Sequence, residues 1–326
     1  MPKKILIVKW GAIGDVIMTL PMIYKIKEKY PQHKLCWLIG NSVKPLIEHL
    51  EIVDQLISFS EKDLFQRGLF SKFFTLCKFW RKIAFRKYEK IYILHKDLRY
   101  TFIPFFSFGK KVRLVQNKNF FPNIYHTKQY LSLIDPKAKV KYPKVTYPLN
   151  EEFSEVFSKR PCIFLAPGGA TNPLQTTSLK RWPISHYVTL CKELLLKGFT
   201  IAVIGSDTDK WVVPYFSKLP IKNLVGKTSL LDLLALFHKG ELLVTHDTGV
   251  MHLAKLSSIK ICGMFGPTNP FEFAPTTRQM MTMQGGQGLT CSPCYNGRAF
   301  SDCQENLCMK KLSPLMVLEK VLDSCI

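Results

Sequence analysis

Acidic residues are scarce in this chain. Its 326 residues hold 24 Asp and Glu against 46 Lys and Arg, a formal net charge of +22. Long apolar runs are missing too: none approaches the ~20 residues that a bilayer-spanning helix requires. Neither half contains the Gly-x-x-x-x-Gly-Lys-Ser/Thr loop of nucleotide hydrolases, and Gly11-Ala12-Ile13-Gly14 lacks the spacing of the dinucleotide fingerprint. Internal repeats and low-complexity segments are absent. Lys3-Lys4 before Ile5-Leu6-Ile7-Val8 imitates a signal peptide, but Lys9 interrupts the apolar run and Asp15 soon follows. A buried first strand is therefore predicted, and a cytoplasmic chain.

The charge is unevenly spread. Residues 1–150 hold 28 Lys and Arg against 10 Asp and Glu, a net of +18, which leaves +4 for the remainder. A basic first half points to an anionic partner on that side: a phosphorylated glycolipid, a membrane surface or nucleic acid. The length suits two α/β domains with separate cores. Apolar runs alternate with helical patterns: strand Ile5–Val8, helix Val16–Tyr30, strand Lys34–Ile39, helix Val43–Leu50 and strand Lys90–His95. Pro143, Pro148 and Glu151-Glu152 mark a break, so the expected domains are 1–150 and 151–326. Alternation restarts with strand Cys162–Ala166, helix His186–Lys197, strand Thr200–Ile204, helix Leu230–His238 and strand Glu241–Thr245. Such alternation predicts a doubly wound parallel sheet in each half.

Between the early elements, Leu69, Phe73, Leu76, Cys77, Trp80, Ile83 and Ala84 fall near helical spacing, with basic residues around them. A basic amphipathic helix can lie on an anionic membrane interface; a core-packing helix with a solvated basic rim has the same pattern. Phe102, Phe105, Phe106 and Phe108 add an aromatic cluster close by.

The most informative stretch runs from Val244 to Pro275. Leu242-Leu243-Val244 reads as a buried strand, His246-Asp247-Thr248-Gly249 as the turn after it, and Val250–Leu256 as a helix. A second strand, Ile259–Phe265, ends in Gly266-Pro267-Thr268. Strand ends of an open α/β sheet are where ligands sit, and a helix start offers N–H groups to an anion. Two adjacent polar turns favour a phosphate-bearing ligand over simple helix capping by Asp247 and Thr248.

Asp-Thr-Gly-x-x-His-x-Ala followed by Phe-Gly-Pro-Thr-x-Pro resembles the donor-site signature of the lipopolysaccharide heptosyltransferases, glycosyltransferase family 9. The opening Ile5–Pro21, with its Gly14-Asp15 turn and Thr19-Leu20-Pro21, resembles that family's first strand and helix. A third match is Pro167-Gly168-Gly169-Ala170 followed by Lys180-Arg181-Trp182-Pro183. The three motifs span most of the chain in the family's order. The resemblance implies a GT-B fold, two Rossmann-like domains facing across a cleft, and inverting transfer of a heptose or related sugar from an ADP-sugar donor.

Within that resemblance Asp15 is the general base, taking the acceptor hydroxyl's proton as its oxygen attacks the anomeric carbon; it could also cap the following helix. Gly11 and Gly14 let substrate and backbone approach, and Lys9 joins them on the acceptor side. Lys180 or Arg181 is expected to neutralise the donor diphosphate as charge grows on the leaving group, the family's Lys-Arg-Trp-Pro motif favouring Lys180. Thr176 and Thr177 would add hydroxyl donors, and Gly168 and Gly169 backbone N–H groups. Asp209 stands where the family has a ribose-binding acid, with Asp207 as its rival, and Thr228 lies near the base. Asp247, Thr248 and Gly249 would bind the diphosphate or sugar, while His252 reads as structural. Catalysis then requires no metal, although Asp207-Thr208-Asp209 has the Asp-x-Asp form of a metal motif.

Of the ten cysteines, Cys36, Cys77, Cys162, Cys191 and Cys262 read as buried thiols. Cys291, Cys294, Cys303 and Cys308 have the spacing Cys-x2-Cys-x8-Cys-x4-Cys, which suits a structural zinc or iron site; four free thiols are the other reading. The expected acceptor is an anionic glycolipid, the inner core of lipopolysaccharide, met peripherally at the cytoplasmic face of the inner membrane. Two alternatives stand beside it: a protein hydroxyl as acceptor of the same fold, or a basic nucleic-acid-binding protein with a four-cysteine metal module. The second leaves the phosphate-cradling turns without a purpose, and no nucleic acid is expected.

Overall fold

The computed structural model describes residues 2–60, 74, 77–78, 80–114, 124–157, 162–172, 175–176, 178–297 and 299–325, with backbone only at 99, 171–172, 175–176 and 325. The chain divides into two compact units, Met1–Pro143 with Asn172–Gln175 and Lys144–Thr171 with Thr176–Ile326.

The first unit is built on five parallel strands: β1 (Lys4–Val8), β2 (Lys34–Gly40), β3 (Gln55–Phe59), β4 (Lys87–Ile93) and β5 (Phe108–Arg113). Their spatial order is β3-β2-β1-β4-β5. Ile5, Leu6, Ile7 and Val8 are all buried, as a central strand covered on both faces must be. Helices α1 (Ile13–Lys29), α2 (Lys44–His49) and α3 (His126–Ser132) accompany the sheet, and α1 packs on α3. β3, β5 and α3 were not expected from the sequence. The β5 stretch Phe-Gly-Lys-Lys-Val-Arg has no apolar alternation, because an edge strand is only partly covered.

The second unit carries six parallel strands: β6 (Cys162–Ala166), β9 (Thr200–Val203), β10 (Lys222–Asn223), β11 (Leu242–His246), β12 (Lys260–Phe265) and β13 (Met280–Gln284). The intervening β7 (Thr171–Asn172) and β8 (Gln175–Thr176) form a separate two-stranded ribbon. The order β10-β9-β6-β11-β12-β13 winds outward from β6 in both directions. The helices here are α4 (Ile184–Leu196), α5 (Leu230–Lys239), α6 (Gly249–Ala254) and α7 (Pro314–Cys325). α5 starts at a reciprocal cap in which Ser229 and Asp232 satisfy each other's backbone N–H groups. Tyr187, Leu190 and Leu194 bury the inner face of α4 in one core cluster with Trp182, Leu165 and Val203.

The unit boundary falls after Pro143, earlier than the compositional break at Glu151-Glu152 suggests. Backbone pairing explains the difference: Val145 donates to the Leu256 carbonyl at 2.7 Å and accepts from His238 at 2.6 Å. Both partners belong to the second unit, so the connecting strip is tied to it.

In the basic segment before β4, residues 80–83 are helical and Ile83 is buried. Leu69, Phe73 and Leu76 of the expected apolar stripe lie outside the described residues. No helix among the described residues is long and apolar enough to cross a membrane.

Candidate active site

In both sheets the order reverses beside the first strand, between β1 and β4 and between β6 and β11. Loops leaving adjacent strands at such a point diverge to opposite faces, and the crevice between them is where α/β proteins bind ligands. Lys9, Gly11, Gly14 and Asp15 follow β1, Gly168 and Gly169 follow β6, and Asp247, Thr248 and Gly249 follow β11, so these lie at the two reversals; Asp209 follows β9 and Thr228 follows β10.

In the first unit Lys9 follows β1 directly and is buried, and its Nζ lies 2.9 Å from Asp15 Oδ1. Gly11 makes this approach practicable. Its φ of +133° suits glycine alone, and a Cβ there would sit 2.9 Å from Asp15 Oδ2. Asp15 is in the first turn of α1, where its charge suits the helix dipole, but Ala12 holds the N-cap position. The expected capping role of Asp15 is thus not what the structure shows. Burial works against charge on Asp15, yet Lys9 outweighs it by its charge and its hydrogen bond and holds the carboxyl below its usual range. Burial also opposes charge on Lys9, where Asp15 and Tyr130 prevail and raise the ammonium above its normal range.

His95, just beyond β4, was missed from sequence. It accepts the Trp10 N–H on Nε2 at 3.2 Å and stacks on Tyr100 with centroids 3.9 Å apart. Burial and the Lys9 charge hold its imidazole well below the usual range, so it is neutral with the proton on Nδ1. Its position 80 residues from Asp15 leaves no local pattern to find.

In the second unit Asp247 follows β11 and is buried. Lys180 Nζ lies 2.7 Å from its Oδ2, the Thr268 hydroxyl donates to the same oxygen at 3.0 Å, and His252 Nε2 is 3.8 Å from Oδ1. Burial opposes the charge, but Lys180 and His252 overcome it and hold Asp247 far below the carboxylate range. The buried carboxylate fixes Lys180, which remains partly open. Thr248 is the N-cap of α6 without a side-chain capping bond, and Gly249 begins the helix.

Gly168 and Gly169 follow β6, where a Cβ on Gly168 would stand 2.4 Å from Asp209 Cγ. Asp209 is committed: it accepts Gly169 N–H at 2.6 Å, Ser206 N–H at 2.8 Å and the Ser206 hydroxyl at 2.7 Å. Its carboxylate therefore shapes the glycine loop, and the Gly169 N–H expected to meet phosphate is spent on it. Asp207 is exposed and pairs with Lys210 at 2.8 Å, so the two acids of Asp-x-Asp serve different partners. Arg181, next to Lys180, donates to the Gly169 carbonyl at 3.0 Å and lies over Trp211. Thr228 precedes the α5 cap and its buried hydroxyl has no hydrogen-bond partner among the described residues. Thr177 and the Thr176 side chain lie outside the described residues.

The model of glycosyltransferase family 9 (heptosyltransferase) matches residues 109–302. The chain belongs to that family. Lipooligosaccharide heptosyltransferase 2 of Haemophilus influenzae is 26% identical over 318 residues, covering 86% of this chain and 88% of the relative. Lipopolysaccharide heptosyltransferase 2 of Escherichia coli K12 is 24% identical over 313 residues, with 83% and 85% covered. The solved structure of E. coli ADP-heptose lps heptosyltransferase II superposes with a TM-score of 0.72 at 19% identity, covering 99% of this chain and 98% of that one. The fold is accordingly GT-B, and the chain is a glycosyltransferase.

In this glycosyltransferase Cys291, Cys294, Cys303 and Cys308 all line one pocket, with Pro267 and Leu289 on its wall. Cys308 Sγ donates to Asn306 Oδ1 at 3.5 Å, and Cys303 Sγ accepts the Asn306 N–H at 3.4 Å. Among the described residues no three His, Cys, Asp or Glu are arranged to hold a metal ion. The thiols as placed do not fit the zinc or iron site that their spacing suggests, and no catalytic step is routed through one. Cys36, Cys162, Cys191 and Cys262 are buried as expected, whereas Cys77 is half-buried.

Behind Asp247, His252 Nδ1 faces the buried Lys255 ammonium at 3.2 Å, and Lys255 also donates to the Phe273 carbonyl at 3.0 Å. Burial, then Lys255, push His252 down to about 4, and burial pushes Lys255 down to about 7. The unfolded chain protonates Lys255 up to its ordinary value, so between roughly pH 7 and 10 it binds more protons than the folded one. Stability of the second unit should rise with pH in that window by at most about 1.4 kcal/mol per unit from this group. Thermal unfolding of Lys255→Met across pH 7–9 should lose that rise; an unchanged slope would refute it.

Proposed function

We propose that this glycosyltransferase moves heptose from ADP-heptose to the inner core of lipopolysaccharide with inversion at the anomeric carbon. The observation that carries the reading is the placement of the three family motifs at the reversal points of the two sheets, with a charged group fixed in each. Asp15 accepts the proton of the acceptor hydroxyl while that oxygen bonds to C1 of the donor sugar. The bond from C1 to the β-phosphate oxygen breaks, and ADP leaves with its electron pair. Lys180, held by Asp247, meets the charge that grows on that oxygen, where a preoriented cation stabilises the transition state more than the ground state. Lys9 keeps Asp15 ionised at neutral pH and aims it. Gly11 and Gly14 leave room for the acceptor, while Gly168, Gly169, Thr228, Thr248 and Gly249 are assigned to the donor side. Asp209 holds the glycine loop in shape.

The relatives named for lipopolysaccharide and lipooligosaccharide transfer support the acceptor class. So does the charge: inner-core sugars carry anionic groups, and residues 1–150 carry a net +18. An acceptor anchored in lipid places the enzyme peripherally at the cytoplasmic face of the inner membrane.

Replacing Asp15 with Asn should lower kcat by about 10²–10⁴-fold while ADP-heptose still binds; full activity would remove Asp15 as base. Lys9→Met should move the acidic limb of the kcat/KM profile up by about one to three pH units, since the neighbouring cation no longer favours the carboxylate. An unmoved limb at reduced rate would mean that Lys9 only packs. In a thermal-shift series ADP, rather than GDP, UDP or CMP, should stabilise the protein, and Lys180→Ala should abolish most of that shift. Equal response to all four nucleotides would overturn the donor assignment.

A further inference from the structure

Four exposed phenylalanines of the first unit are gathered in one place. Phe85 and Phe106 rings lie 6.0 Å apart, Phe106 and Phe105 5.1 Å, and Phe105 and Phe102 6.3 Å. All four are exposed, as is Phe108. Phe85 is the extreme case. It is 78% exposed and ends the helical residues 80–83 in the left-handed region, at φ +55°. Glycine or asparagine is the inexpensive residue for that position at a helix C-terminus, and a bulky side chain there is strained. The strain is held by a backbone bond from Phe85 N–H to the Phe106 carbonyl, 2.8 Å, and by Phe108 N–H to Arg86 O, 3.1 Å. A strained backbone that presents an aromatic ring to water needs a reason outside the fold.

The patch has a collar of one sign. Residues 80–114 hold ten Lys and Arg against Glu89 and Asp97, and Glu89 is taken by Lys3 and His33. Lys87 stands in register beside Phe108 on the neighbouring strand. Arg81, Lys82, Lys87 and Lys110 are exposed and form no ion pair with the described residues.

We propose that this aromatic patch and its basic collar dock on the surface of an anionic lipid bilayer. The proposal rests on the reading of a lipid-anchored acceptor and identifies the surface that reaches it. Phenylalanine rings bury at the boundary of headgroups and acyl chains, and lysine and arginine beside them are drawn to anionic headgroups. Durable attachment takes both signals together, which is what this surface supplies. A second copy of the chain fits less well, because two collars of equal sign would face each other. Strand pairing through the β5 edge is opposed by Lys110 and Lys111.

The full chain should sediment with vesicles of phosphatidylcholine mixed with phosphatidylglycerol, not with phosphatidylcholine alone, and high salt should release it. Phe85→Asn relieves the strain, so thermal stability should hold or rise while vesicle affinity falls about tenfold; adding Phe105→Ser should remove it. Transfer to a deacylated, soluble acceptor should be unchanged in both variants. Failure of the wild type to bind anionic vesicles, or undiminished binding by the double variant, overturns the proposal. So does a concentration-dependent dimer that the double variant abolishes. Vesicle binding without heptose transfer to the soluble acceptor would instead remove the functional reading and leave the docking surface in place.

Discussion

A charge kept out of water needs a partner, and both sheets use that requirement to aim a second, more open charge. At the reversal beside β1 the buried member is a cation: the Lys9 side chain is 7% exposed and Asp15 is 37% exposed. At the reversal beside β6 the signs are exchanged, with Asp247 at 5% and Lys180 at 22%. In each pair the desolvated group cannot leave without stranding its charge, so it acts as a fixed post for the accessible one. In the proposed mechanism the accessible groups are the carboxylate that takes the acceptor proton and the cation that meets the departing phosphate.

The glycines follow from the same requirement. Gly11 must hold φ +133° and leave Asp15 Oδ2 unobstructed. Gly168 and Gly205 both press on Asp209, and Gly169 adopts φ +79° against Thr248. These are contacts between loops rather than with solvent. Loop packing of this tightness lets Asp209 fix the Gly169 N–H and lets Arg181 fix its carbonyl, so the peptide beside Lys180 is held from both sides.

The central strands were legible because β1, β6 and β11 are near-continuous apolar runs, the pattern of strands covered on both faces. β5 and β13 were not, since their edge or near-edge environments blur the periodicity, and α3 lacked a start signal because Tyr125 makes no side-chain cap. Site residues divide in the same way. Motif position was enough to single out Asp15, Lys180 and Asp247, but not to say what each touches. Asp247 read as a ligand-binding acid from its motif, and only the fold shows that its two oxygens face Lys180, Thr268 and His252. Asp209 read as a ribose contact by its offset from Gly205, although that offset equally lets it reach back to Ser206 and across to Gly169. His95 and Tyr130 meet Lys9 and Asp15 only through tertiary packing, which no short-range pattern encodes.

The charge of the first half gains meaning from the same ion-pair accounting. Among the described acidic residues, Asp15, Glu28, Glu48, Asp54, Glu89 and Asp135 are joined to lysines. Folding therefore consumes most of the negative charge available there and leaves the basic excess to repel itself, a cost to the compact state. A fold gains nothing from that excess, because a smaller number of lysines would satisfy the same acids. The cost is recovered only when an anion arrives from outside. On the proposed reading, an acceptor bearing anionic groups in an anionic bilayer meets that condition twice, once at the reversal beside β1 and once at the aromatic patch around Phe85.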